Sequence, residues 1–245
     1  MSVLAELQAG LPRNGPGSDA ATVRVLSMLP DVPSDARILD IGAGTGPHTV
    51  VLAQALPEAR ITAVDVNEAA LAQLQRRAAQ VNAGARITTH VMSMHALTFA
   101  DSSFDVIWSE GAVYIMGFSN GLRAWREFLR PGGYLVVSEN TWLTVAPNPD
   151  AQDFWDEAYP SMQTLEQNLG IAKEAGYEVV GTYILPPEAW VTEYYAPLEP
   201  RIAQMIQRYS KGSREWKLVD RTRRELEIFR AHGNQYGYVF YALRR

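Results

Sequence analysis

Ile38-Leu39-Asp40-Ile41-Gly42-Ala43-Gly44-Thr45-Gly46-Pro47-His48-Thr49, followed by Ile61-Thr62-Ala63-Val64-Asp65, reads as strand, turn, helix and strand. The apolar run 38–41 fits a buried parallel strand, and it empties into a glycine-rich turn where missing side chains let backbone N–H groups approach a ligand. The second apolar run ends on a carboxylate, Asp65. In doubly wound α/β folds an acid about 20 residues past the glycine loop accepts hydrogen bonds from ribose hydroxyls. The pair of strands therefore predicts a nucleoside-bearing cofactor.

One glycine narrows the choice of nucleoside. A dinucleotide loop reads G-x-G-x-x-G, with a pyrophosphate at the helix N-terminus. Here the pattern is G-x-G-x-G: the third glycine is Gly46, and Pro47 takes the place where the dinucleotide pattern has glycine. Proline supplies no N–H and suits a first helical turn. No G-K-[ST] follows, which removes a Walker-type triphosphate cradle. A cofactor without phosphates is the remaining reading.

These residues resemble the first motif of the class I S-adenosylmethionine-dependent methyltransferases, hydrophobic-L-D-hydrophobic-G-x-G-x-G, with a second strand ending in Asp or Glu. Phe99-Ala100-Asp101-Ser102-Ser103-Phe104-Asp105-Val106-Ile107 looks like the entry to that family's fourth strand, and Leu129-Arg130-Pro131-Gly132-Gly133-Tyr134-Leu135-Val136-Val137 like the turn into its fifth. The segments Trp108-Ser109-Glu110-Gly111-Ala112-Val113-Tyr114 and Ile184-Leu185-Pro186 are most similar to a bacterial branch of uncharacterised small-molecule methyltransferases, near the type 11 and ubiquinone/menaquinone-biosynthesis groups. The resemblance implies S-adenosylmethionine as cofactor, S-adenosylhomocysteine as product, and methyl transfer to an O, N or C atom of a small metabolite.

Composition sets outer bounds. The chain has 245 residues, 47% hydrophobic and 20% charged, an ordinary balance for one α/β domain with an insertion. The expected division is a lid over 1–30, a cofactor-binding core over 31–140, and a substrate-side half over 141–245 with a helical insertion near 190–235. Zero cysteines remove disulfides and thiolate metal sites, and no metal is expected. No signal peptide or membrane span is apparent, so the expected location is the cytoplasm. A net charge of −5 disfavours nucleic acid as partner. Arg221, Arg223 and Arg224, interleaved with Glu215, Asp220, Glu225 and Glu227, read as a solvated helical face. A monomer or homodimer is expected.

Helix and strand patterns alternate along the chain, which predicts a Rossmann-like, seven-stranded, mostly parallel doubly wound sheet with helices on both faces. Strands are expected at 38–41, 61–65, 86–91, 104–109, 134–138, 177–185 and 236–242. Helices are expected at 19–29, 49–56, 68–81 and 119–129, near Phe154 and Trp155, up to Lys173, and over 199–209 and 214–231.

Ligands in such sheets lie at the carboxyl ends of the strands. By resemblance, Gly42, Ala43, Gly44, Thr45 and Gly46 pass the methionine portion, and Asp40 supports the loop or the amino group. Asp65, with Asn67 beside it, takes the ribose. Val66 and Met94 flank adenine, with Ser93 where many relatives carry an acid. Glu110 closes the fourth strand and is placed to face the sulfonium or the substrate; the alternative is an acid in a surface loop. His48, at a helix start, is a candidate general base or a polar helix-start residue. Gly17 and Ser18 are expected to touch substrate or methionine, or to form a plain loop and cap. Tyr114, Trp190 and Tyr194 are candidate substrate contacts. Competing readings are an NAD(P)-dependent oxidoreductase on the same architecture, a non-catalytic relative that keeps the cofactor cleft, and an RNA methylase, which needs a basic groove.

Overall fold

Strand β1 (Arg37–Ile41) sits at the centre of the sheet, parallel to β2 (Arg60–Asp65) on one side and β4 (Phe104–Ser109) on the other. Its side chains alternate as strand geometry requires: Ile38 packs into one apolar cluster, Leu39 and Ile41 into the other. The computed structural model describes residues 3–245, apart from the side chains of residues 4 and 5.

The sheet has seven strands in the order β3-β2-β1-β4-β5-β7-β6, where β3 is Ile87–Val91, β5 Leu129–Trp142, β6 Glu178–Ile184 and β7 Tyr236–Arg244. Strands β1 to β5 run parallel, and only β7 is reversed, pairing antiparallel with β5 and β6. This is the Rossmann-like doubly wound architecture the sequence predicts. The order reverses between β1 and β4, so their carboxyl ends diverge around a crevice.

One face carries α2 (Asp19–Leu26), α3 (Pro47–Ala55), α4 (Glu68–Gln80), α6 (Pro149–Ala158), α9 (Ala196–Arg208) and α10 (Arg214–His232), whose buried residues join Ile38, Val136 and Phe240 in one cluster. On the opposite face Phe118, Leu122 and Trp125 of α5 (Phe118–Trp125) and Ala172 of α7 (Leu165–Glu174) pack on Leu39, Val137 and Tyr241. Short polar side chains mark the helix starts: Ser18 caps α2, Asn67 caps α4, Ser213 caps α10, and Thr164 with Gln167 forms a capping box on α7.

The structure departs from the sequence expectation in three places. A six-residue helix α1 (Val3–Gln8), not expected from the sequence, opens the lid segment. Strand β5 runs on to Trp142 rather than stopping at Ser138, because Glu139, Asn140 and Thr141 continue the ladder opposite Val239, Tyr238 and Gly237. The insertion opens with α8 (Pro187–Trp190) and a π-helical turn, Val191–Tyr195, before α9. Such turns are uncommon and tend to occur at functional sites. Among the described residues no helix is long and apolar enough to cross a membrane.

Candidate functional site

The glycine loop hangs between the ends of β1 and β2. Gly42 and Ala43 both donate to the Val64 carbonyl, at 2.9 and 3.1 Å, and Gly46 donates to Ala43 at 2.9 Å. Gly46 takes a left-handed φ of +74° as N-cap of α3, with Pro47 at the first helical position. A Cβ on Gly46 would lie 2.2 Å from Cγ of Leu74, so this glycine allows α4 to pack on the loop. A Cβ on Gly44 would meet nothing within 4 Å. The open side of the turn is thus at Gly44.

Asp65 ties the loop to the second strand. One carboxylate oxygen accepts from Gly44 N–H and the other from Asn67 N–H, both at 2.8 Å. Each oxygen keeps a lone pair for a further donor. Beyond it Val66 is 69% exposed, although it is large and apolar, and Met94 reaches the loop, its Cε 3.5 Å from where a Gly42 Cβ would stand. Ser93 is half-buried. Next to Gly44, the hydroxyl of Thr45 is buried without a hydrogen-bond partner. A buried orphaned hydroxyl is costly, and here it faces a small cavity of ≈ 100 Å³ lined by Gly42, Gly44, Thr45, His48, Glu110 and Arg13 among others. The loop, Asp65, Val66 and Met94 together fit a nucleoside bearing an amino-acid tail.

Two expected contacts act indirectly instead. Asp40 is fully buried, and both of its oxygens are engaged, by His48 Nε2 at 3.1 Å and by the Thr49 hydroxyl at 2.5 Å. It therefore fixes the start of α3. Burial alone lowers the pKa of His48, but the Asp40 carboxylate, helped by Glu110, raises it on balance against an opposing effect of Arg13. Glu110 is likewise occupied: Oε1 accepts from Arg13 Nη1 at 3.1 Å, and Oε2 from Thr22 Oγ1 at 3.1 Å and Trp108 Nε1 at 3.3 Å. It lines the small cavity, yet its charge is met by the lid.

The lid lies where expected, but with different contacts. Gly17 packs against Glu110, a Cβ there falling 2.7 Å from Oε1, and Ser18 caps α2 by accepting from Ala21 N–H at 3.1 Å. Neither lines a cavity. Asn14, Gly15 and Pro16 do.

Those three residues, with Gly111, border a second, larger cavity of ≈ 320 Å³. Tyr114, Trp190 and Tyr194 meet there, joined by Trp155, Tyr159 and Tyr238. Trp190 stacks on Phe229 with ring centroids 4.8 Å apart and leans on Tyr238 at 5.1 Å, so the aromatic wall is rigid. Asn140 contributes an amide. Arg221 and Glu225 also line this cavity: Arg221 stays exposed, as expected of a solvated face, whereas Glu225 is half-buried and accepts from Tyr195 at 2.9 Å, which corrects its reading as part of that face. Their neighbour Arg223 does sit outside, paired with Asp220 and Glu227. The tyrosines Tyr194 and Tyr238 are held un-ionised chiefly by burial, which raises both well above the usual phenol value. Glu139, not singled out by the sequence, is 2% exposed with one oxygen unpartnered, and burial pushes its carboxyl up to about 8. His95 is exposed. Among the described residues no group of three His, Asp or Glu is arranged to hold a metal ion.

A family model described as a methyltransferase domain matches residues 38–133. The 27-O-demethylrifamycin SV methyltransferase of Amycolatopsis mediterranei is 28% identical over 194 residues, 78% of this chain and 64% of that protein. The ubiquinone/menaquinone biosynthesis C-methyltransferase UbiE of Dinoroseobacter shibae is 36% identical over 121 residues, 49% of this chain and 47% of that protein. The chain thus spans between about half and about two thirds of these relatives' own lengths. A Geobacter sulfurreducens methyltransferase, solved with S-adenosyl-L-homocysteine, superposes with a TM-score of 0.81 at 20% identity, covering 99% of this chain and 98% of that one.

Proposed function

We infer that this chain, a member of the class I S-adenosylmethionine-dependent methyltransferases, carries a methyl group to an O, N or C atom of a small molecule held in its aromatic cavity. The supporting observation is that the two cavities adjoin: Asn14, Gly15, Pro16 and Gly111 border both the glycine-loop cleft and the aromatic chamber. A donor in one and an acceptor in the other meet across the ends of β1 and β4.

S-adenosylmethionine supplies, when bound, an electrophilic methyl group on a positively charged sulfur. The residues that would hold it are Gly42 to Gly46 and Thr45 Oγ1 along the methionine, Asp65 and Asn67 at the ribose, and Val66, Ser93 and Met94 at the base. Asp40, His48 and Glu110 act one step behind, fixing α3 and the lid. Tyr114, Trp190 and Tyr194 wall the acceptor side, where aromatic faces also favour a nearby cation. Positioning of this kind can supply about 7–11 kcal/mol of a barrier without a reactive side chain. A chamber of ≈ 320 Å³ suits a metabolite rather than a nucleic acid, as does the net charge of −5.

Thermal unfolding with S-adenosylhomocysteine beside NADPH tests this reading. The first ligand should raise Tm, with about 2.7 kcal/mol of stabilisation at 100 times its Kd; the second should not. A shift with NADPH alone would replace the methyltransferase reading by an oxidoreductase. Incorporation of labelled methyl into a metabolite extract separates an enzyme from a protein that only binds.

A further inference from the structure

Methyl transfer to a hydroxyl releases a proton, and the acids and bases of the cofactor cleft are engaged: His48 on Asp40, and Glu110 on Arg13, Thr22 and Trp108. The opposite wall offers more. At the carboxyl end of β5, Glu139 is 2% and Asn140 5% exposed, and Oε2 of the first and Oδ1 of the second have no hydrogen-bond partner. Asn140 Nδ2 is directed to the Met162 sulfur at 3.4 Å, which leaves Oδ1 for another donor. Asn140 and Tyr159 line the aromatic cavity, and the Tyr159 phenol lies beside the Glu139 carboxyl. Tyr114 stands edge-on to Tyr159 with centroids 6.1 Å apart. Two buried acceptors without donors are costly, and a ligand hydroxyl would relieve one.

On the premise that this cavity holds the methyl acceptor, we propose that the acceptor is a planar ring bearing a hydroxyl, a phenol or an enol, and that Tyr159 takes its proton and passes its own to Glu139. As the new C–O bond forms and the C–S bond breaks, the acceptor's proton moves to the Tyr159 oxygen and the Tyr159 proton to the ionised Glu139. The products are a methyl ether, a neutral thioether and protonated Glu139, so one positive and one negative charge disappear together. An ammonium acceptor suits the chamber less well, since Arg221 lines it and Glu225 already accepts from Tyr195. A carboxylate acceptor would face Glu225 on the cavity wall.

The surroundings of Glu139 are phenols: Tyr159 after α6, Tyr114 before α5, and Tyr238 and Tyr241 on β7. Glu225 and Arg221, on α10, influence Tyr114 with opposite signs. Burial pushes Glu139 up to about 8 against the pull of Tyr159, so the ionised form needed as proton sink grows as pH rises toward that value.

The test uses the full chain, S-adenosylmethionine labelled on its methyl group, and matched pairs of planar acceptors: catechol, 4-nitrophenol and 2-naphthol against 1,2-diaminobenzene, 4-nitroaniline and 2-naphthylamine. Label should enter a phenol oxygen and no amine, with kcat/KM rising about tenfold per pH unit and levelling above about pH 8. Tyr159→Phe should lower kcat at least about a hundredfold with little change in KM. Glu139→Gln should remove the pH dependence, and Glu139→Asp should restore part of it. Circular dichroism and S-adenosylhomocysteine binding confirm that each variant is folded. Independently of turnover, an infrared difference spectrum across pH 8 should show the loss of a protonated carboxyl band that Glu139→Gln lacks. Label in amines or carbon alone, label nowhere while S-adenosylhomocysteine still binds, or a Tyr159→Phe variant with parental kcat overturns the proton relay and leaves the methyltransferase reading standing. Failure to bind S-adenosylhomocysteine at all overturns both.

Discussion

Arg13 and Glu110 are 97 positions apart in the chain, yet Nη1 of one lies 3.1 Å from Oε1 of the other. Both side chains are buried, at 4% and 3% exposed. The same guanidinium reaches Asp19 at 2.6 Å and Glu193 of the π-helical turn at 3.8 Å. Lid, central sheet and insertion are therefore joined at one cation. Removing one partner of a buried pair costs about 3–5 kcal/mol because the other is left charged and unpaired. Arg13→Met should lower the urea midpoint accordingly, and Arg13→Met with Glu110→Gln should cost less than the two single changes summed.

Asp65→Ala removes the acceptor of the Gly44 and Asn67 N–H groups. The loop loses its tie to β2 and, under the proposed function, the ribose loses its carboxylate. Calorimetry should show S-adenosylhomocysteine binding weakened at least tenfold, about 1.4 kcal/mol. An unchanged Kd would move the ribose elsewhere.

Gly46→Ala places a methyl group 2.2 Å from Cγ of Leu74, at a φ of +74°. Overpacking costs about 1–3 kcal/mol, and a left-handed non-glycine residue about 1–2 kcal/mol more. Combining it with Leu74→Ala removes the Cγ and Cδ1 contacts but leaves Cβ at 2.9 Å and the backbone strain in place. Urea unfolding of the four proteins should show a coupling of about 0.5–3 kcal/mol.

Stability should fall between about pH 5 and pH 8. Glu139 is raised from 4.5 to about 8 in the folded chain, so across that window the native state keeps a proton that the unfolded chain has released. Unfolding therefore loses protons, and stability drops as pH rises until it levels above the folded value. Glu225, raised by burial, works in the same sense, as does His48, raised on balance by Asp40 against its burial. Urea midpoints measured across this range should decline less steeply for Glu139→Gln than for the parent.

The cofactor half was legible because its signals are local. A short apolar run, positive-φ glycines and a strand-end acid lie close in sequence, and Gly44 and Asp65 meet as that spacing implies. The acceptor half was less so. Glu139, Asn140 and Thr141 look like the polar end of a strand, and only the distant Tyr241 and Asn168, which bond Thr141, show that the polar run is interior. Arg13 carries no local signal in the sequence, because the partner that buries it, Glu110, is 97 positions away. Glu225 reads as part of the solvent face of α10 because a mixed-charge helix carries no record of a cavity on one side.

Of the residues walling the larger chamber, only Gly111 and Tyr114 fall within the segment matched by the methyltransferase-domain model. Under the proposed function, the glycine loop and most of the acceptor wall thus lie in separate stretches of the polypeptide. Identity confined to the matched segment therefore leaves most of the chamber wall uncompared. Grafting 1–20 and 141–235 from one relative onto another should move acceptor preference with the graft.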